Sequence, residues 1–185
     1  TTYALGVKFG SAQKNIYTIF GDGSKDGGSN MILPPAYQEA APFGANTGGV
    51  ATAFSNVKPS AAFDSWLTVG IDDGDTGGLL GSVGINFAGW TDSAGIEVDN
   101  GAVFWMAPAN GPTGPSIVAQ LTVDTGTLDA TLNAQGRSNG GSDDWQARNI
   151  QYVPYSGESG SACGFGPPPP EVNLVEGLPT GGCAF

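Results

Sequence analysis

Three aspartates fall within four positions, at Asp72, Asp73 and Asp75, with Gly74, Gly77 and Gly78 to bend the chain around them. Calcium takes about six to eight oxygens from carboxylates and carbonyls on a flexible loop, and this segment could supply half of them. Asp72, Asp73 and Asp75 are therefore candidate calcium ligands. The spacing is not that of an EF-hand, because no glutamate occupies the twelfth loop position. Further ligands would have to come from another loop, such as Asp99, Asn100 or Asp124. A solvated hairpin turn accounts for the same residues without metal. Asp92, Glu97 and Asp99 form a second acidic patch. Paired carboxylates flanking a sugar bond are the glycosidase arrangement. Nothing in this spacing sets up such a pair, and two polar turns are the plainer reading.

The chain has four tryptophans, Trp66, Trp90, Trp105 and Trp145. Trp66 and Trp90 are candidates for a glycan-stacking surface, with core packing as the competing explanation. The only arginines, Arg137 and Arg148, flank the polar loop 138–144, where an ion pair with Asp143 or Asp144 is expected. The sequence has no histidine and only 6 lysines and arginines in 185 residues. The usual general bases and activated nucleophiles are thus scarce. No phosphate-binding loop, nucleophile elbow or dinucleotide fingerprint occurs in a strand-to-helix setting. The expectation is a protein that is not an enzyme.

Seventeen acids give a net charge of −11. Nucleic acid binding needs lysine and arginine to displace counterions, and anionic membranes need the same charge. Neither partner fits. No run approaches the length of a membrane-spanning helix, so no membrane insertion is expected. Both cysteines, Cys163 and Cys183, lie near the end of the chain and bracket the proline run 167–170. A disulfide between them is expected, which implies an oxidising, extracellular or cell-surface setting. The start at Thr1, without Met or a charged and apolar leader, fits a mature secreted form. No N-glycosylation sequon occurs.

The elements that must position these residues are strands. Apolar and polar residues alternate over 3–9, 15–20, 50–57, 63–71, 83–87, 102–107, 117–123, 129–135 and 144–153, with Gly, Asn, Asp and Pro between them. The segment 63–71 carries the strongest pattern. The only helix-like segment worth a turn is Ala36–Ala41, hemmed by prolines. About nine short strands predict an all-β, antiparallel β-sandwich of jelly-roll or Ig-like type over residues 1–154. Residues 155–185 read as a Gly/Ser/Pro-rich tail stapled by the Cys163–Cys183 loop. The long connections 21–30 and 34–49 are candidate assembly surfaces.

The segments 41–46, 63–70 and 133–138, together with Asp144-Trp145, resemble poorly characterised secreted or cell-surface β-rich domains of marine microalgae, over roughly residues 15–153. That resemblance implies an extracellular module, often one unit of a larger surface protein, and transfers no functional residue. The expected function is a non-catalytic extracellular structural protein. It would be a self-assembling subunit of a filament, sheath or matrix, a homo-oligomer or polymer joined through its tail. The alternative is a carbohydrate-binding module, calcium-dependent or not, with a polysaccharide as partner.

Overall fold

The computed structural model describes residues 1–125, 127–140 and 143–153, together with the backbone of Val172–Glu176. It is all-β, with antiparallel pairing throughout its strand ladders and few helical residues. One sheet has the order β11-β1-β8-β4, built from Val172–Glu176, Thr2–Phe9, Ser116–Thr122 and Trp66–Leu67. The other contains β2 (Thr18–Gly21), β3 (Met31–Leu33), β5 (Leu80–Val83), β6 (Ile96–Val98), β7 (Gly101–Trp105), β9 (Ala130–Arg137) and β10 (Asp144–Tyr152).

The register explains how this second sheet is built. Thr18 and Phe20 face Gln135 and Asn133 of β9, and Ile32 faces Thr131. On the other side, Thr18 and Gly21 face Phe104 and Gly101, while Met31 and Leu33 face Val98 and Ile96. β2 and β3 therefore lie end to end as one interrupted strand. β7 and β6 form a second interrupted strand beside it. Residues 22–30 leave the line and re-enter it, with the neck closed by Asp22 N–H to the Ser29 carbonyl at 2.9 Å.

Asn133, fully buried on β9, holds this break together. Its amide nitrogen donates to the Phe20 and Ser29 carbonyls, both at 2.9 Å. Its oxygen accepts from the Ser29 hydroxyl and from Asn149 N–H. All of its hydrogen-bonding capacity is thus used, which is what allows a buried amide. Asn149 has φ 55° at a register shift in β10, so the bulge is what aims its N–H inward.

Across one inner row, Ala147, Ala134, Ile19 and Val103 are buried side by side. The facing contribution from the other sheet is Tyr3, Leu5, Val7, Leu67, Val118, Ala119 and Leu121, within the same apolar cluster. The Tyr152 hydroxyl of β10 donates to the Gly6 carbonyl of β1 at 3.2 Å, tying the sheets. Three indoles enter the protein by the same means. Trp90, Trp105 and Trp145 each donate their N–H to a backbone carbonyl, of Pro34, Val69 and Asn15. The polar edge of a tryptophan needs such a partner when the ring is buried.

Two expectations change. Residues 50–57 are not a strand: Thr52–Val57 forms a short helix, α1, none of whose residues is buried. Their alternation finds no neighbouring strand, and a carboxylate from a distant loop binds the helix start instead. The strong pattern at 63–71 yields only the two residues of β4 in a ladder. A 3-10 turn, Pro59–Phe63, precedes it. The chain still follows β8, with Thr68 and Gly70 N–H bonded to Val118 and Ile117. The Thr68 hydroxyl then accepts from Ile71 N–H at 3.1 Å and turns the chain away. The segment 36–41 forms no helix. Among the described residues, no helix is long and apolar enough to cross a membrane. Cys163, Cys183 and the proline run lie outside the described residues.

Candidate functional site

The acid cluster lies against α1. Gly48 and Gly49 (φ 77° and 79°) let the preceding loop pack backbone to backbone on it. A β-carbon on Gly49 would stand 2.2 Å from the Asp72 carbonyl, and one on Gly48 2.9 Å from that of Asp75. Gly74 N–H donates to the Gly48 carbonyl at 2.9 Å. Between these loops and the helix lies a pocket of about 200 Å³, lined chiefly by Phe43, Val50, Ala51, Phe54, Asp75 and Thr76. Phe43 meets Phe54 edge to face, with ring centroids 6.0 Å apart. Lys58 lies 5.6 Å from the Phe43 ring centroid.

The carboxylates here act as loop staples. One Asp73 oxygen accepts both the backbone N–H and the hydroxyl of Thr52, which binds the open amine end of α1. Those hydrogen bonds, the hydroxyl foremost, hold the Asp73 carboxyl below the usual carboxylate range. Asp75 accepts Leu79 N–H at 2.9 Å and Leu80 N–H at 2.8 Å, one on each oxygen, and so starts β5. Among the described residues, no group of three His, Cys, Asp or Glu is placed to hold a metal. The structure thus places Asp72, Asp73 and Asp75 on one loop without converging their carboxylates on a shared point.

The same device fixes the other wall of the pocket. Asp64 is buried and accepts Glu39 N–H at 2.7 Å and Ala45 N–H at 2.6 Å. Burial pushes its carboxyl up, opposed by those donors. The Glu39 side chain, 4% exposed, pairs with Lys58. It also accepts the hydroxyls of Ser60 at 2.7 Å and Tyr37 at 2.9 Å, and Ala40 N–H. Led by Lys58, these partners bring the Glu39 carboxyl down to about 2. Loop 34–49, and with it Phe43, is held by two acids that sequence reading did not single out. Their signal is absent from local sequence, because the donors are backbone groups far along the chain.

A second polar assembly crosses the outer side of β2, β9 and β10. The Tyr17 hydroxyl donates to Asp144 at 2.7 Å, and Arg137 pairs with the other Asp144 oxygen at 2.8 Å. The Gln135 amide donates to Asp144, Gln146 donates to Gln135, and Arg148 reaches Gln146 and Asp22. Partial burial and the Asp144 carboxylate push the Tyr17 phenol up to about 12. The expected Arg137–Asp144 pair is present, and Arg148 pairs with Asp22 instead of the adjacent loop. The guanidinium groups lie over aromatic rings, Arg137 on Tyr17 and Arg148 on Phe20.

The tryptophan reading needs correction. Trp66 is 3% exposed and Trp90 2% exposed, so neither offers a ring face to a glycan. Trp66 sits in β4 against β8, and Trp90 belongs to the apolar cluster, so burial of large rings in the core wins over surface display. The exposed aromatic rings are phenylalanines, Phe54 at 45% and Phe63 at 50%.

Comparison of the chain with protein-family models, curated proteins and solved structures finds no match.

Proposed function

We propose that this protein is a non-catalytic extracellular structural subunit, which assembles with copies of itself into a filament, sheath or matrix. In this reading its two sheets stack as a β-sandwich of jelly-roll or Ig-like kind. The supporting observation is the pairing of the C-terminal segment Val172–Glu176 with β1. Leu5 to Phe9 face Glu176 to Val172 in unbroken antiparallel register. This strand packs mainly on β1, with a smaller contact to β10. An edge strand at the end of a long connection, held chiefly by one neighbour, can leave its own molecule and pair with the same edge of the next. Such an exchange is head-to-tail and grows open-ended unless rotation closes it. The use of acidic residues as staples for loops, in a chain without histidine, fits a scaffold better than a reaction centre.

Deleting residues 155–185 is expected to abolish higher-order assembly, read by light scattering and electron microscopy, and to leave a soluble monomer. A truncated chain that polymerises like the full one would refute the role of the tail.

A second reading is a carbohydrate-binding module. The pocket beside the half-exposed Phe54 favours it, because a ring edge and a small apolar depression suit the C–H face of a sugar. Calcium has no part in that reading, since Asp73 and Asp75 direct their carboxylates at N–H groups. Retention on a polysaccharide column that is lost in Phe54→Ala would support it over assembly.

A further inference from the structure

We infer that the β5 edge of the larger sheet is a docking edge for a second copy of this chain, pairing antiparallel β5 to β5 across a two-fold axis. This contact goes beyond the tail-mediated reading and does not depend on it. An edge strand presents unpaired N–H and C=O groups, and proteins blunt such edges with charge, proline, bulges, brevity or a covering segment. Every other edge here carries one of these. β11 covers β1. β4 is two residues long, and Thr47 bridges Leu67 beyond it. β6 is three residues long and has Glu97 at its centre. β10 carries Asp144, Arg148 and a register shift.

β5 has none of them. Leu80, Gly81, Ser82 and Val83 pair with β7 in unbroken register and include neither charge nor proline. Beside the strand stand large exposed apolar side chains, Leu79 at 44%, Val83 at 60% and Met106 at 64%. On the outer face, the Phe104 ring covers Gly81, whose added β-carbon would meet it at 2.8 Å. Ordinary surface hydrophobics are scattered singly, whereas these adjoin an open backbone edge.

Charge identifies the occupant. Two copies at −11 each repel, and the repulsion is least where charge is absent. Residues 76–91 and 100–123, which include β5 and β7, contain no charged residue. The uncharged end of an acidic molecule is where its own copy can approach. An isologous β5–β5 pair buries Leu79, Val83 and Met106 from both sides and satisfies both edges at once.

Sedimentation of the full chain tests this. The expected species is a dimer at twice 18.6 kDa, or larger assemblies built from it. Val83→Lys, at an exposed edge position, is expected to weaken self-association by about tenfold or more with circular dichroism unchanged. If that variant misfolds, Met106→Lys, outside the strand, replaces it. Leu174→Pro, which blocks β11 pairing, is expected to leave the β5 dimer in place. A wild-type chain that stays monomeric at millimolar concentration overturns the proposal. So does association that survives the lysine variants unchanged. In that case, loss of association in Leu174→Pro would mean that the tail alone joins the molecules, so failure here is separable from failure of the tail reading.

Discussion

Glu39 shows how one acidic residue works in this protein. Its carboxylate sits almost out of water between Lys58, Ser60, Tyr37 and the Ala40 N–H. Its carboxyl is lowered in the fold from 4.5 to about 2. The folded state therefore binds this proton less readily than the unfolded chain. The resulting stability is fully present above the unfolded value and is lost as pH falls from about 4.5 through about 2. Glu39→Gln is expected to be less stable than wild type at pH 7, with a flatter dependence across that acid range. Urea titrations at stepped pH would show it. Equal slopes for both proteins would mean that Glu39 is not the group responsible. Sequence alone marked Asp72, Asp73 and Asp75 as notable because they are adjacent, and passed over Glu39, Asp64 and Asn133. Adjacency is visible in a string of letters. A ring of donors assembled from residues scores of positions apart is not.

At the level of elements, the sequence was legible where strands are long and one face is buried. β1, β8, β9 and β10 keep the alternation that predicts them, since each lies against the core along most of its length. β3 and β6 were missed, being three residues each. They exist because they continue β2 and β7 after interruptions, so their pairing is inherited rather than locally encoded. α1 illustrates the opposite error. Its alternation suggested a strand, yet it buries nothing and depends on Asp73 across the pocket. Loss of a helix cap of this type costs about 1 kcal/mol. Asp73→Ala is expected to speed amide hydrogen exchange over residues 52–58 and to leave the exchange of β8 and β9 unaltered. Uniform acceleration everywhere would instead mean that the acid loop supports the whole fold.

The whole molecule combines a strongly acidic surface with an uncharged end. Any association between copies has to overcome their mutual repulsion, which is long-ranged in dilute salt. The Debye length falls from about 30 Å at 0.01 M to about 8 Å at 0.15 M. Self-association is therefore expected to tighten as sodium chloride rises over that interval, as followed by sedimentation equilibrium. Weakening with salt would show that ion pairs, rather than apolar side chains and backbone pairing, join the subunits.

The interruption between β2 and β3 has a consequence for how this chain can vary. The strand leaves its line at Asp22 and rejoins it at Met31, with the neck shut by the Asp22–Ser29 hydrogen bonds and by Asn133 below. The number of residues outside that neck has no bearing on how Ile32 faces Thr131. Gly23 to Gly27 are exposed at its tip. Lengthening an exposed loop costs only about 0.6 kcal/mol for each doubling. The protein thus carries a port at which foreign peptide can be spliced in and displayed, with the sheet beneath it none the wiser.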